Sequence, residues 1–329
     1  MLGRQTSRTC IARFAMAALT ASATVTAAGA QIYPVKPIRM IVAVPPGGPA
    51  DTLSRLVSPK LTEALGQMIV IDNRAGANGN IAYEMTARAV PDGYTIAAVA
   101  AGVAINPSLY REVKFDPLRD FAPITQGISV PNILVVHPSV PANSVSELIA
   151  YAKARPGRLV FASAGNGTSG HLALEQFRLM SGTDFIHVPY KGGGPALNDL
   201  IAGQVSLVFA TPQAALPHVK TGRIRALALT TSVRLPAEPS IPTIAEAGVP
   251  GYEVNNWHGL IGPKGVPRAI VERLHGEVTK IIRGKDMEER LRGDGVAPAG
   301  GTPEELQEQI RKEIVMWRDV VQRAGIKIQ

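Results

Sequence analysis

Cysteine is almost absent: the chain of 329 residues has one, Cys10. A single thiol closes no internal disulfide, so the fold has to be held by its core. Acidic residues are missing from the first 30 positions, which carry Arg4, Arg8 and Arg13, then the run FAMAALTASATVTAA, then Ala28-Gly29-Ala30. A basic start, a short apolar run and a small-residue site predict a secretory signal peptide over 1–30, cleaved before Gln31. That run is too short and alanine-rich to span a bilayer, and no other segment approaches twenty apolar residues, so an exported, soluble mature chain is expected. Cys10 precedes the apolar run whereas a lipidated cysteine would follow it, so no lipid anchor is expected. Runs of Lys and Arg interleaved with aromatics are missing as well, which argues against nucleic acid as a partner. Loss of the leader's three arginines lowers the formal charge from +8 to +5, a modest general attraction for anions.

What is present is an alternation of apolar runs and amphipathic stretches over roughly 300 residues, enough for two α/β domains. IRMIVAV, MIVID, YTIAAVA, ILVVHPS, LVFASA, FIHVPY, VSLVFA and IRALALT read as strands with helices between them, the pattern of parallel sheet covered on both faces. Ser144 and Glu147 predict a capping box opening a helix through Lys153. The end is mostly helical: Pro267 to about Arg283, a short helix near Asp286, and a long one opened by Thr302-Pro303-Glu304-Glu305.

Three times an apolar run passes through a glycine turn into a helix: VPPGGPADTLSR (Val44 to Arg55), AGNGTSGHLALEQF (Ala164 to Phe177) and VPYKGGGPALNDL (Val188 to Leu200). Each turn can aim free helix-start amides at an anionic group, and ligands of open α/β sheets bind beyond the strands' carboxyl ends. Gly165 to Gly170 fits G-x-G-x-x-G, but the next strand ends in Tyr190-Lys191 where a dinucleotide site wants an acid, and no turn has the Lys-Ser/Thr of a P-loop. Asp51 would repel a phosphate dianion; it is placed to accept backbone amides and brace its own loop. A carboxylate suits Gly47, Gly48, Thr168 and Ser169, with Gly48 allowing close backbone approach. The plain alternative is that these glycines only let the chain turn.

Catalytic patterns are weak. Gly167-Thr168-Ser169-Gly170-His171 is not spaced as G-x-S-x-G, and Ser169 and His171 fall on different sides of a helix. His171 and Glu175 share a face, yet no second metal-binding cluster accompanies them. No catalytic residue, metal or cofactor is expected, with a secreted α/β hydrolase acting on a small carboxylated substrate kept as the alternative.

YPVKPIRMIVAVPPGGPADTLSRLV, VIDNRAGANGNIA, AGNGTSGHLALEQF, VPYKGGGPALNDLIAGQV and NNWHGLIGPKGVP, in that order, resemble the periplasmic solute receptors of the tripartite tricarboxylate transporter family, the Bug receptors. The resemblance implies a two-lobed periplasmic-binding-protein type II (Venus flytrap) fold. Lobe 1 would be 31–130 plus 254–329 and lobe 2 would be 131–253, with hinges near Val130 to Ile133 and Tyr252 to Trp257. It further implies a small carboxylate held between the lobes by Pro46, Gly47 and Gly48, with Asp51, Asn78 and Gly79 beside them. Gly165, Thr168 and Ser169 would stand opposite, and Tyr190, Lys191, Gly192, Thr211 and Gln213 would line the second lobe. The implied partners are integral inner-membrane transporter subunits, and the receptor itself is expected to be a monomer.

Overall fold

The computed structural model describes residues 33–293 and 295–326. The chain divides into a leading unit, Met1–Val35, and a compact unit, Lys36–Gln329, which holds every element described. The expected signal peptide and Cys10 lie outside the described residues.

The chain begins β1 (Ile38–Val42), α1 (Pro49–Leu65), β2 (Ile69–Asn73), α2 (Asn80–Ala87), β3 (Thr95–Ala100), α3 (Gly102–Leu109) and β4 (Phe121–Val130). It crosses to β5 (Ile133–Val136), α4 (Val145–Lys153), β6 (Val160–Ser163), α5 (Ser169–Ser181), β7 (Ile186–Pro189), α6 (Gly193–Ile201), β8 (Leu207–Ala210), α7 (Pro212–Lys220) and β9 (Arg225–Leu229). It returns as β10 (Asn256–Pro263), α8 (Arg268–Ile282), α9 (Lys285–Gly293), β11 (Ala297–Gly301) and α10 (Pro303–Ala324).

Two sheets form two lobes, one ordered β11-β4-β10-β3-β1-β2 and the other β7-β6-β8-β5-β9. Parallel pairing, expected throughout, holds for β1 with β2 and β3, and for β6 with β7 and β8. It fails at β10, antiparallel to β3 and β4, at β11, antiparallel to β4, and at β5, antiparallel to β8 and β9. Parallel neighbours in one sheet need a crossover, usually a helix. β5 and β10 instead enter their sheets directly from the other lobe, so they are free to run the opposite way. The central strands are continuous apolar runs because both faces are covered: Ile38, Met40, Ile41 and Val42 are all buried.

Helix ends follow local chemistry. Thr302 and Glu305 form the full reciprocal capping box at α10. At α4 the Ser144 hydroxyl accepts from the Glu147 amide, but the Glu147 carboxylate takes the Asn143 amide (2.7 Å), one residue earlier than the pattern predicts. α10 packs against α3 and β4 of the first lobe and α5 of the second. One buried cluster consequently runs from Val99 and Phe121 through Trp257 and Trp317 to Leu172 and Phe177. Among the described residues no helix is long and apolar enough to cross a membrane.

Candidate functional site

The turn after β1 is braced from within. Gly47 has φ +86°, a region other residues adopt at a cost, and its N–H donates to Asp51 Oδ2 (2.9 Å). Asp51 is 2% exposed, and it also takes Arg55 Nε (2.8 Å) and Asn73 Nδ2 (2.9 Å). Burial pushes its carboxyl up, but the bonds from Arg55, Gly47 and Asn73 outweigh that and hold it below the usual range. Asp51 is thus the brace that its position suggests. Gly48 differs from Gly47: φ is −73°, so its backbone is ordinary, and what a side chain there would meet is Val44 Cγ2 at 3.0 Å and the Pro45 carbonyl at 3.3 Å. Its N–H is shared with that carbonyl (3.2 Å). Both glycine amides offered to a ligand by the sequence are therefore engaged inside the turn. Pro46 directly precedes them and has no N–H to give.

Asn78 and Gly79 lie in a short 3-10 turn, Ala77–Gly79, where Ala77, Asn78 and Gly79 all have positive φ. Asn106 holds it. Its side chain, fully buried on α3, accepts from Asn78 Nδ2 (2.8 Å) and donates to the Asn78 carbonyl (3.0 Å) and Asn80 Oδ1 (2.6 Å). Any side chain at Gly79 would strike the Tyr83 ring at 2.7 Å.

In the second lobe β6 and β7 pair with Ser163 opposite Pro189, so their turns leave the sheet side by side. Two backbone bonds join them, Tyr190 N–H to the Ser163 carbonyl (2.9 Å) and Gly192 N–H to the Ala164 carbonyl (3.0 Å). Thr168 is the N-cap of α5; its hydroxyl donates to the Gly165 carbonyl (2.8 Å) and accepts from the His171 amide (3.5 Å). Ser169 and Gly170 follow, half-buried and buried, and their amides have no acceptor among the described residues. Ser163 is 1% exposed and its hydroxyl meets Nε2 of the half-buried His187 at 2.7 Å.

Tyr190 donates to Asp199 Oδ2 (2.6 Å), and Lys191 is exposed with no ion-pair partner among the described residues. Thr211 is the N-cap of α7, and Gln213, one residue into that helix, lines a cavity of about 320 Å³. Gly47, Pro49, Thr52 and Val130 line the same cavity, so it joins the first turn to the second lobe. The first turn and the Thr168-Ser169 turn share no hydrogen bond among the described residues.

A family profile described as the tripartite tricarboxylate transporter family receptor matches residues 53–326. The chain belongs to this family. Rpa4515 of R. palustris, whose structure was solved with adipate, is similar at 40% identity and TM-score 0.78, covering 90% of this chain and 100% of that one. MatC of Rhodopseudomonas palustris, solved with bound malate, is similar at 32% identity and TM-score 0.72, covering 88% and 100%. Protein BugT of Bordetella pertussis is 36% identical over 302 residues, 91% of this chain and 93% of its own. The family is one of solute-binding receptors, and the hydrolase alternative falls with that membership.

The candidate site contains groups that sequence reasoning missed. Asn106 was signalled only by an asparagine within an apolar helical stretch, GVAINPSL. Asn73, Ser163 and His187 gave no signal at all, because each acts through a partner distant in sequence. His171 and Glu175, considered as metal ligands, are already engaged: Gly167 donates to His171 Nδ1 (3.0 Å) and Arg178 donates to Glu175 (2.9 Å). Among the described residues no group of three His, Cys, Asp or Glu side chains converges as a metal site would require.

Proposed function

We propose that this receptor captures a small dicarboxylate between lobe 1 (31–130 plus 254–329) and lobe 2 (131–253) and presents it to inner-membrane transporter subunits. The observation that carries the ligand class is the similarity to Rpa4515, solved with adipate, at 40% identity along its whole length. The turn chemistry supports it. The three turns offer amides, hydroxyls and one exposed cation, Lys191, with no arginine in the second or third turn and Arg55 of the first turned to Asp51. Several neutral donors can hold a carboxylate without a bidentate clamp, and Lys191 suits a second carboxylate. Val130 to Ile133 and Tyr252 to Trp257 would flex as the hinges. Cleavage before Gln31 would deliver a monomer to the periplasm, which N-terminal sequencing of periplasmic material tests.

The ligand reading is tested by melting the mature chain with malate, adipate and intermediate dicarboxylates, followed by calorimetric titration and mass analysis of the recovered ligand. A raised melting temperature, saturable binding and chemically unchanged ligand are expected. No shift with any member of the series would refute it.

A further inference from the structure

We infer that His171 is a positioning residue of the binding turn: its bare Nδ1 accepts the Gly167 N–H and so fixes the peptide plane from which the Thr168–Gly170 helix start is aimed at the ligand. The inference rests on the receptor reading above and adds to it the group that shapes the second-lobe turn.

The bond from Gly167 N to His171 Nδ1 is buried and 3.0 Å long. Within a peptide plane the N–H and the preceding carbonyl point opposite ways, so this bond turns the Asn166 carbonyl away from the ring. It also holds Gly167 at φ +73°, from which Thr168 enters the extended cap conformation, φ −71° and ψ 159°. Were the ring proton on Nδ1, two donors would face each other, and relief would require that peptide to flip. A flip would bring the Asn166 carbonyl inward and shift the helix start carrying Ser169 and Gly170.

The neighbours select the required tautomer. Glu175 Oε1 lies 3.8 Å from His171 Nε2 while Arg178 holds the other carboxylate oxygen, which favours the proton on Nε2. Against the face of the ring stacks His187, centroids 4.1 Å apart and planes within 10°. Burial, then the neighbouring His187, hold His171 down at about 3, and burial also lowers His187, so the stacked pair stays neutral. His187 serves the other end of the turn. Its Nε2 meets the Ser163 hydroxyl, which accepts the Gly165 N–H at 3.2 Å. Gly165 and Gly167 are thereby both set by imidazoles that carry no charge.

Two variants of the full mature chain separate this role from packing. Asparagine places an oxygen near the position of Nδ1 and keeps the acceptor; leucine fills space without one. In the unsubstituted protein the imidazole nitrogen resonances are expected to show a bare Nδ1 and a protonated Nε2, and a protonated Nδ1 would overturn the inference. Exchange of the Gly167 amide should stay slow in His171→Asn and quicken about tenfold or more in His171→Leu. Titration with adipate and malate should weaken about tenfold or more in His171→Leu and stay within about threefold in His171→Asn. Equal affinity in the leucine variant, or equal loss in both, also overturns the inference. If His171→Leu does not fold, the asparagine variant and the nitrogen resonances decide. If the unsubstituted protein binds neither acid, the dicarboxylate reading fails while the resonance and exchange measurements still decide the role of His171.

Discussion

Glu313 is the buried acid whose substitution tests the energetics most directly. It sits on α10, 8% exposed, with Oε1 accepting from Trp257 Nε1 (2.8 Å) and Gln309 Nε2 (3.1 Å), and Oε2 buried without a partner among the described residues. Burial pushes its carboxyl up to about 7; the bonds from Trp257 and Gln309 offset only part of that, and the charge of Glu253 adds to it. A rise from the ordinary 4.5 to about 7 corresponds to about 3 kcal/mol at about 1.4 kcal/mol for each tenfold. Because the folded value is raised, this contribution is fully present below about 4.5 and is lost as pH rises through 7. The native protein therefore binds a proton there that the unfolded chain releases.

Glu313→Gln keeps the acceptor for Trp257 and abolishes the titration. The stability of the variant relative to the unsubstituted protein should accordingly rise by about 3 kcal/mol between pH 4.5 and pH 8, or roughly 6 °C in melting temperature for a chain of this size. Calorimetric melting of both proteins at four pH values in that range reads the difference directly, with all other titrating groups cancelling. Parallel curves would refute the reasoning and show that the carboxyl is solvated in the native protein.

Ser169→Ala should weaken dicarboxylate binding by about 1–3 kcal/mol with little change in melting, because its hydroxyl has no hydrogen-bond partner among the described residues; titration and melting together check this. Thr168→Ala should instead lower stability by about 1 kcal/mol, since that hydroxyl caps α5 and holds Gly165, and an unchanged melting curve would contradict it. Gly47→Ala meets no steric obstacle but forces φ +86° on a side chain, so a loss of about 1–2 kcal/mol by urea unfolding is expected. Small-angle scattering with saturating adipate should show a smaller radius, and an unchanged radius would rule out closure on that ligand.

Features set by near neighbours were legible in the sequence. The β1 turn and α1, and the capping box of α10, depend on residues within four positions of one another, and the structure has them where expected. β4 was missed because Pro123, Gln126 and Gly127 interrupt its apolar pattern. It is a strand through its pairing with β10, more than 120 residues away, which holds it regardless of local propensity. Strand direction was illegible at β5 and β10 for a related reason: an apolar run states that both faces are covered and says nothing of which way the strand runs. At the site, Gly47 and Gly48 are indistinguishable as letters. Only the Asp51 and Pro45 contacts decide which of the two carries the positive φ.

The same distinction explains how a turn proposed to hold a carboxylate tolerates a carboxylate of its own. Asp51 is ionised, buried and one turn from the proposed ligand, where an uncompensated charge would repel it. Its three bonds to Gly47, Arg55 and Asn73 fix both oxygens, and Arg55, whose side chain is half exposed, cancels the charge at 2.8 Å. The first turn therefore presents no net negative charge while being held in the conformation that Gly47 requires. Neutral imidazoles play the corresponding part in the second lobe, where His171 and His187 set Gly167 and Gly165 without adding charge. Both lobes thus form their turns through internal bonds before a ligand arrives, which limits the ordering that binding has to impose. On the proposed reading, recognition falls to groups outside those internal bonds, Ser169, the Gly170 amide and Lys191, and substitution of Ser169 or Lys191 should alter which acid is preferred without altering the fold.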